Sequence, residues 1–283
     1  MRSFYVAFVA ACAVVLAGSV FAAPAAMVTD LQGPSMLAKD KAKLGLMAYV
    51  EPGTEILVEA NARLTLTYLT KPLEQTFSGP AKIVVHADKI EVLQGGAGQS
   101  RKLDPEKVSV ARKFEPAARE RMTQATFVMR SASPKLELIG PAATKVATTT
   151  PEFSWKALKD ASGYKISLLD ESGKLLGVHS VNVNTWTPRG KEALAPGKSY
   201  QWRVEATLAS GQTDVAQAQF SVLDKAAAKE IAKHKPKAHA PFSERLLYAA
   251  QLENEGLKDE AASQWRALAA ERPGEPALQK WAK

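Results

Sequence analysis

Pro151-Glu152-Phe153-Ser154-Trp155, Tyr164-Lys165-Ile166-Ser167-Leu168, Leu194-Ala195-Pro196-Gly197-Lys198-Ser199-Tyr200-Gln201-Trp202-Arg203-Val204 and Phe220-Ser221-Val222 are four runs within one stretch of the chain. Each alternates large apolar residues with polar ones. That period of two places one side of an extended strand in a core and the other in solvent. Clusters of Gly, Asp, Ser and Pro separate the runs, as tight turns require. The stretch therefore reads as several half-buried strands closing over a shared core, and it contains no constellation of catalytic residues.

Upstream the same logic gives a second all-β region. Ile56-Leu57-Val58, the period-two run Ala62-Arg63-Leu64-Thr65-Leu66-Thr67-Tyr68, Ile83-Val84-Val85 and Ile90-Glu91-Val92 are short strand candidates. They are separated by Glu51-Pro52-Gly53-Thr54, Ser78-Gly79-Pro80 and the glycine-rich 94–98 segment. A length of 283 residues with 46% hydrophobic residues suits about two domains with real cores. The expected fold class is mainly β: two β-sandwich or β-roll domains in tandem, over 28–102 and 133–223, followed by a small C-terminal α-helical hairpin over 242–283. Residues 24–34 read as a loose, Ala/Pro-rich lead-in.

The N-terminus sets the compartment. Met1-Arg2-Ser3 is a short basic start, Phe4 to Gly18 is an apolar run of about 15 residues, and Val20-Phe21-Ala22 offers small residues at the −3 and −1 positions. This predicts a signal peptide over 1–22, cleaved after Ala22, with Ala25 the next choice and an uncleaved anchor the alternative. The run is short for a membrane span. Cys12 is the one cysteine and lies within this run, so a chain cleaved there has no disulfide, cysteine-metal site or thiol nucleophile. A formal charge of +8 favours anionic partners, and export turns that preference from nucleic acid towards envelope polymers or proteins.

Residues 103–132 read as a basic, partly helical linker. Asp104 can cap a helix begun by Pro105, and Arg112 and Lys113 could touch an anionic surface or simply be solvated. Residues 224–241 are a second basic linker, Ala/Lys/Pro-rich, with Lys233, Lys235 and Lys237 as further possible contacts. At the C-terminus Ser243 can cap a helix to Leu252, Gly256 suits a left-handed end, and Asp259 can cap a second helix that ends before Pro273. Trp155 and Trp202 lie in register with core positions. Trp186 is open to two readings, packing or stacking on a sugar ring.

Three resemblances rest on these residues. The Pro52-Gly53-Thr54 turn, the Asn61 to Tyr68 strand, Ser78-Gly79-Pro80 and Ala81 to Val85 resemble the FecR-like periplasmic domain, which implies an exported, non-catalytic β domain. Residues 135–223 resemble a fibronectin type III or immunoglobulin-like sandwich, most specifically in Leu194-x-Pro196-Gly197-x-x-Tyr200-x-Trp202-x-Val204. There the family's tyrosine corner implies a Tyr200 hydroxyl bonded back to nearby backbone. Ala249, Leu252, Gly256, Ala261, Trp265 and Pro273 resemble a single tetratricopeptide repeat. A lone repeat leaves its apolar face open, so the hairpin docks either on the β domains or on another protein. In the second case Leu246, Leu252, Trp265 and Trp281 form the partner surface.

No His-Glu-x-x-His, Gly-x-Ser-x-Gly or phosphate-cradling glycine loop is present, and the four histidines are scattered. The sequence therefore predicts no catalytic residues, no metal site and no cofactor. It predicts an exported, periplasmic, non-enzymatic adaptor or scaffold of the cell envelope with an unidentified protein partner. The alternative is a peptidoglycan- or lipopolysaccharide-binding envelope protein. An enzyme of unrecognised type is the third reading.

Overall fold

The computed structural model describes residues 23–114 and 136–282. The expected signal peptide and the greater part of the 103–132 linker lie outside the described residues.

The first β region contains nine strands: β1 (Ala26–Gln32), β2 (Ser35–Leu37), β3 (Tyr49–Val50), β4 (Thr54–Val58), β5 (Arg63–Tyr68), β6 (Leu73–Ser78), β7 (Ala81–Val85), β8 (Ile90–Gln94) and β9 (Gln99–Lys102). They form a five-stranded sheet in the order β3-β1-β5-β6-β9 and a four-stranded sheet in the order β2-β4-β7-β8. All the pairings are antiparallel. The lead-in expected at 24–34 is instead β1, which pairs with β3 and β5 and has Ala26, Met27 and Val28 fully buried. Its four buried residues, Ala26 to Thr29, run consecutively without alternation, as suits a strand covered on both faces. Gly79 ends β6 against the carbonyl of Glu59, where a Cβ would sit only 1.8 Å from the oxygen, so only glycine fits that turn.

Helix α1 (Pro105–Lys113) follows, and the Asp104 side chain accepts from the Glu106 N–H, as the sequence leads one to expect. The second β region is a sandwich. Strands β10 (Leu138–Gly140), β12 (Phe153–Trp155) and β15 (Thr185–Trp186) form one sheet. Strands β11 (Thr144–Val146), β17 (Thr213–Val222), β16 (Ser199–Leu208), β13 (Ala161–Asp170) and β14 (Leu175–Val181) form the other, in that order. Its core holds Phe153, Trp155, Tyr164, Ile166, Trp202, Val204 and Phe220, the alternate residues of the opening stretch. The Tyr200 hydroxyl accepts from the Ala195 N–H at 2.9 Å and reaches back to its carbonyl, closing a tyrosine corner. Trp202 donates from its indole to Pro141 O at 2.7 Å.

The expected 224–241 linker contains a helix, α2 (Lys225–His234), capped by Asp224. Helices α3 (Phe242–Glu255), α4 (Lys258–Glu271) and α5 (Pro276–Trp281) complete the chain. Gly256 takes the left-handed conformation after α3, with φ 79°, as expected. The starts of α3 and α4 depart from expectation: Ser243 and Asp259 lie inside the first turns, and neither caps. The α4 N-terminus is satisfied from elsewhere, because Thr144 Oγ1 of the sandwich accepts from the Lys258 N–H at 2.9 Å. Beside it the Lys145 N–H donates to Gly256 O at 2.9 Å. Strand β11 of the sandwich thus closes the α3–α4 corner.

The helices do not form a separate module. One continuous apolar core runs from Ala25 to Phe114 and resumes from Leu223 to Trp281. At its centre Phe114 from the end of α1, Trp265 from α4 and Trp281 from α5 meet with ring centroids 5.1–6.1 Å apart. The sandwich has its own core, inserted in sequence between the two halves of that body.

Candidate functional site

The part of the five-stranded sheet that carries Arg63, Thr65 and Thr67 is polar on its helix-facing side, a direct result of the alternation in Arg63-Leu64-Thr65-Leu66-Thr67: leucines to one face, Arg and Thr to the other. A hydrogen-bonded row crosses four strands. Thr29 Oγ1 meets Thr67 Oγ1 at 2.9 Å, Thr67 donates to Glu74, and Arg101 Nε donates to Glu74 Oε1 at 3.0 Å. Arg101 Nη1 also donates to Glu244 Oε2 of α3 at 2.9 Å, and Lys107 of α1 reaches the other oxygen at 2.6 Å. Burial works against the Arg101 charge, but Glu74 and Glu244 outweigh it and hold the guanidinium above its ordinary range. Burial likewise opposes the Glu244 carboxylate, yet hydrogen bonds from Lys107 and Arg101 hold it below the usual carboxylate value.

Beside this row lies a cleft of about 540 Å³ between the sheet and the helices. Thr65 and Thr76, bonded to each other at 3.0 Å, lie on its floor beside Gln99. One wall is the start of α3 at Phe242 and Ser243, and another is Arg272 at the end of α4. Arg272 Nη1 donates to Asp30 and to Leu31 O, and its guanidinium covers the Phe242 ring at 3.8 Å. Three guanidiniums (Arg63, Arg101, Arg272) and three carboxylates (Asp30, Glu74, Glu271) line the space, so its formal charge balances. Each carboxylate is committed to an arginine: Asp30 to Arg272, Glu74 to Arg101 and Glu271 to Arg245. The volume falls within the usual range of ligand clefts. The arrangement offers fixed donors and acceptors side by side.

The residues singled out in the sequence fare differently. Leu246, Leu252, Trp265 and Trp281 are 0, 2, 0 and 5% exposed, all within the core shared with the first sheet. Of the two docking alternatives, the apolar face takes the one within the chain: it is covered in cis by α1 and β1. Arg112 is exposed, and its guanidinium donates twice to Leu69 O, at 3.2 and 2.6 Å, tying α1 to the end of β5. Lys113, Lys233, Lys235 and Lys237 are exposed. They do not converge, since Lys113 ends α1 while the end of α2 lies near Asp104 at the start of α1. His234 is buried at the α2–α3 contact, with Gln251 at 3.3 Å from Nδ1. Trp186 is half-buried, packed on Phe153 at 5.4 Å and stacked on His179 at 4.5 Å, which in turn reaches Glu192.

The cleft residues went unread in the sequence. A polar residue on the outer side of an amphipathic strand looks the same whether water or a helix 200 residues later covers it. Among the described residues, no helix is long and apolar enough to cross a membrane.

No protein-family profile matches the chain, and no curated protein matches it. Among solved structures, CopC from Methylosinus trichosporium OB3b is 22% identical over 32% of this chain and 95% of its own, with a TM-score of 0.26. A two-domain fibronectin type III segment from chicken tenascin is 10% identical over 72% of this chain and 87% of its own, with a TM-score of 0.24. Likeness at this level says nothing of ligand or partner.

Proposed function

We propose that the chain is an exported, non-enzymatic binding protein of the cell envelope, and that the cleft between the first sheet and the helices is its ligand site. The observation that carries this is the lining: hydroxyls, amides, guanidiniums and carboxylates packed side by side at balanced charge. Such a surface suits a ligand rich in hydroxyl and amide groups, because carboxylates accept from hydroxyls while guanidiniums and amides donate. It suits a glycan strand of the peptidoglycan kind better than lipopolysaccharide phosphates, which call for an uncompensated positive site. Binding fits better than catalysis, since every carboxylate of the cleft already accepts from an arginine. Export rests on the Phe4 to Gly18 run and the Val20-Phe21-Ala22 cleavage pattern.

The test is retention of the chain from Ala23 on purified sacculi, and titration with soluble glycan fragments. Gln99 is exposed on an outer strand, so Gln99→Trp fills the cleft without disturbing a core. Retention should weaken at least about tenfold in this variant. Retention that is unchanged in Gln99→Trp, or absent in the parent protein, overturns the reading.

A further inference from the structure

Edge strands expose backbone N–H and C=O groups that can pair with another chain, and proteins blunt them by shortness, charge or proline. The described sheets have eight edges, and seven of them are blunted. β3 and β15 are two residues long, and β2, β10 and β11 are three. β9 carries Arg101 and Lys102, and β8 carries Glu91. β14 is the exception. It runs seven residues, Leu175-Leu176-Gly177-Val178-His179-Ser180-Val181, with no Lys, Arg, Asp, Glu or Pro, and it pairs only with β13.

The apolar surface follows the same distribution. Six large apolar side chains are exposed among the described residues, and four of them lie on or just beyond this strand. They are Leu175 at 54%, Leu176 at 49%, Val178 at 43% and Val183 at 58%. The register fixes which way the strand faces. His179 lies opposite Ile166 and Gly177 opposite Leu168, so these two share the core side. Leu176, Val178 and Ser180 therefore share the outer side.

We propose that β14 is a self-association edge, which pairs antiparallel with β14 of a second copy about a two-fold axis at Val178. The strand fits its own copy. Leu175 falls opposite Val181, Leu176 opposite Ser180, and Gly177 opposite His179. Within each copy the His179 ring, stacked on Trp186, lies over Gly177, with Nε2 3.1 Å from where a Cβ would stand. Continuing the register outward sets Lys174 against Asn182, so no like charges meet. A charged partner peptide would find no complementary charge on this strand, whereas a second copy needs none. The two outer faces join Leu176 and Val178 of each copy into one patch, and the five-stranded sheets merge into a ten-stranded one. A single strand pair buries less than a standard interface, so the dimer forms at micromolar rather than nanomolar concentration.

Sedimentation equilibrium on the chain from Ala23 tests this. The mass should rise towards twice the monomer as concentration passes through tens of micromolar. Val178→Lys places two ammonium groups together at the axis, and it should raise the dissociation constant at least about tenfold. Leu93→Lys, at an exposed apolar position of β8, should leave it unchanged. Val178→Cys supplies an independent readout: with Cys12 absent from this chain, mild oxidation should give a disulfide-linked dimer, since cross-strand Cα separations suit a disulfide. A protein that stays monomeric to about 200 μM and does not cross-link overturns the proposal, and a heterologous strand then becomes the occupant to seek. A dimer indifferent to Val178→Lys overturns it equally. Circular dichroism of each variant separates loss of pairing from loss of fold.

Discussion

Two tryptophan-centred cores stand side by side in this chain, and they are built in opposite ways. The sandwich core, around Trp155 and Trp202, draws every member from residues 136–222. The core around Trp265 and Trp281 draws on residues 25–114 and again on 223–281, with the whole sandwich between them in sequence. The first can form from neighbouring hairpins. The second needs its two halves to meet across a long loop, so its contacts carry the closure entropy that local ones avoid. In the second core, damage to a C-terminal helix is also damage to an N-terminal sheet.

The sharpest way to break the comparison is to empty each core in turn. Trp265→Ala removes a fully buried indole that touches both Phe114 and Trp281, and should cost about 3–5 kcal/mol. Hydrogen exchange should show β1, β5 and α3 losing protection together, while β13 and β16 keep theirs. Trp155→Ala should do the reverse at similar cost, because that indole packs on Tyr164 and Trp202 inside the sandwich alone. If Trp265→Ala left β1 and β5 fully protected, the first sheet would be a unit independent of the helices.

A smaller effect tests the polar seam of the same body. Arg272 and Asp30 pair across 242 positions, with side chains 16 and 14% exposed. Arg272→Met keeps the bulk over Phe242 but leaves the carboxylate buried without its cation, at a cost of about 2–3 kcal/mol; partial exposure keeps this below the figure for a fully buried pair. Adding Asp30→Asn should recover much of that loss in urea unfolding. A double variant as unstable as the sum of the singles would mean that the two residues act separately.

The contrast also explains what could be read from the sequence. The sandwich was legible because its signals are local: the Tyr200 corner lies five residues from its acceptor, and Phe153, Trp155 and Trp202 show their burial by alternation. The Asp104 cap and the Gly256 terminus were legible for the same reason. Other features were not. β1 shows no period-two alternation, because Ala26 to Thr29 are all buried by partners on both faces. The fate of Leu246, Leu252, Trp265 and Trp281 depended on whether a surface elsewhere in the chain matched them, and periodicity carries no information on that. Arg101, Arg272 and Thr65 looked like solvent-facing polar residues, and the cleft exists only because helices from the far end of the chain stand over them. Thr144, which caps α4 from the sandwich, replaces the local cap expected from Asp259.

The smallest expected effect, and the most selective, concerns the two junctions of α3 and α4. At the junction with the first sheet, Glu244 is held below its ordinary value of 4.5 by Lys107 and Arg101 despite burial. Its contribution is therefore present above pH 4.5 and lost as pH falls through the lower folded value. At the junction with the sandwich the sign is opposite. Burial raises Asp259 and Glu260 above their ordinary values of 3.8 and 4.5. For Asp259 the cations of Arg266 and Lys258 and the Ala142 amide only partly offset burial, and for Glu260 the Asp259 charge adds to it. Stability from these two is full below those ordinary values and declines as pH rises through the folded ones. Acidification from pH 7 towards 4.5 should thus firm the contact of α4 with the 140–147 segment, and further acidification should loosen the contact of α3 with β9. Hydrogen exchange corrected for intrinsic rates should show protection at Lys145 and Lys258 rising as pH falls. Asp259→Asn with Glu260→Gln should flatten that rise and leave the Glu244 junction unchanged. Both junctions weakening together in acid would mean that one electrostatic regime governs the whole helical layer, and the distinction between its two contacts would fall.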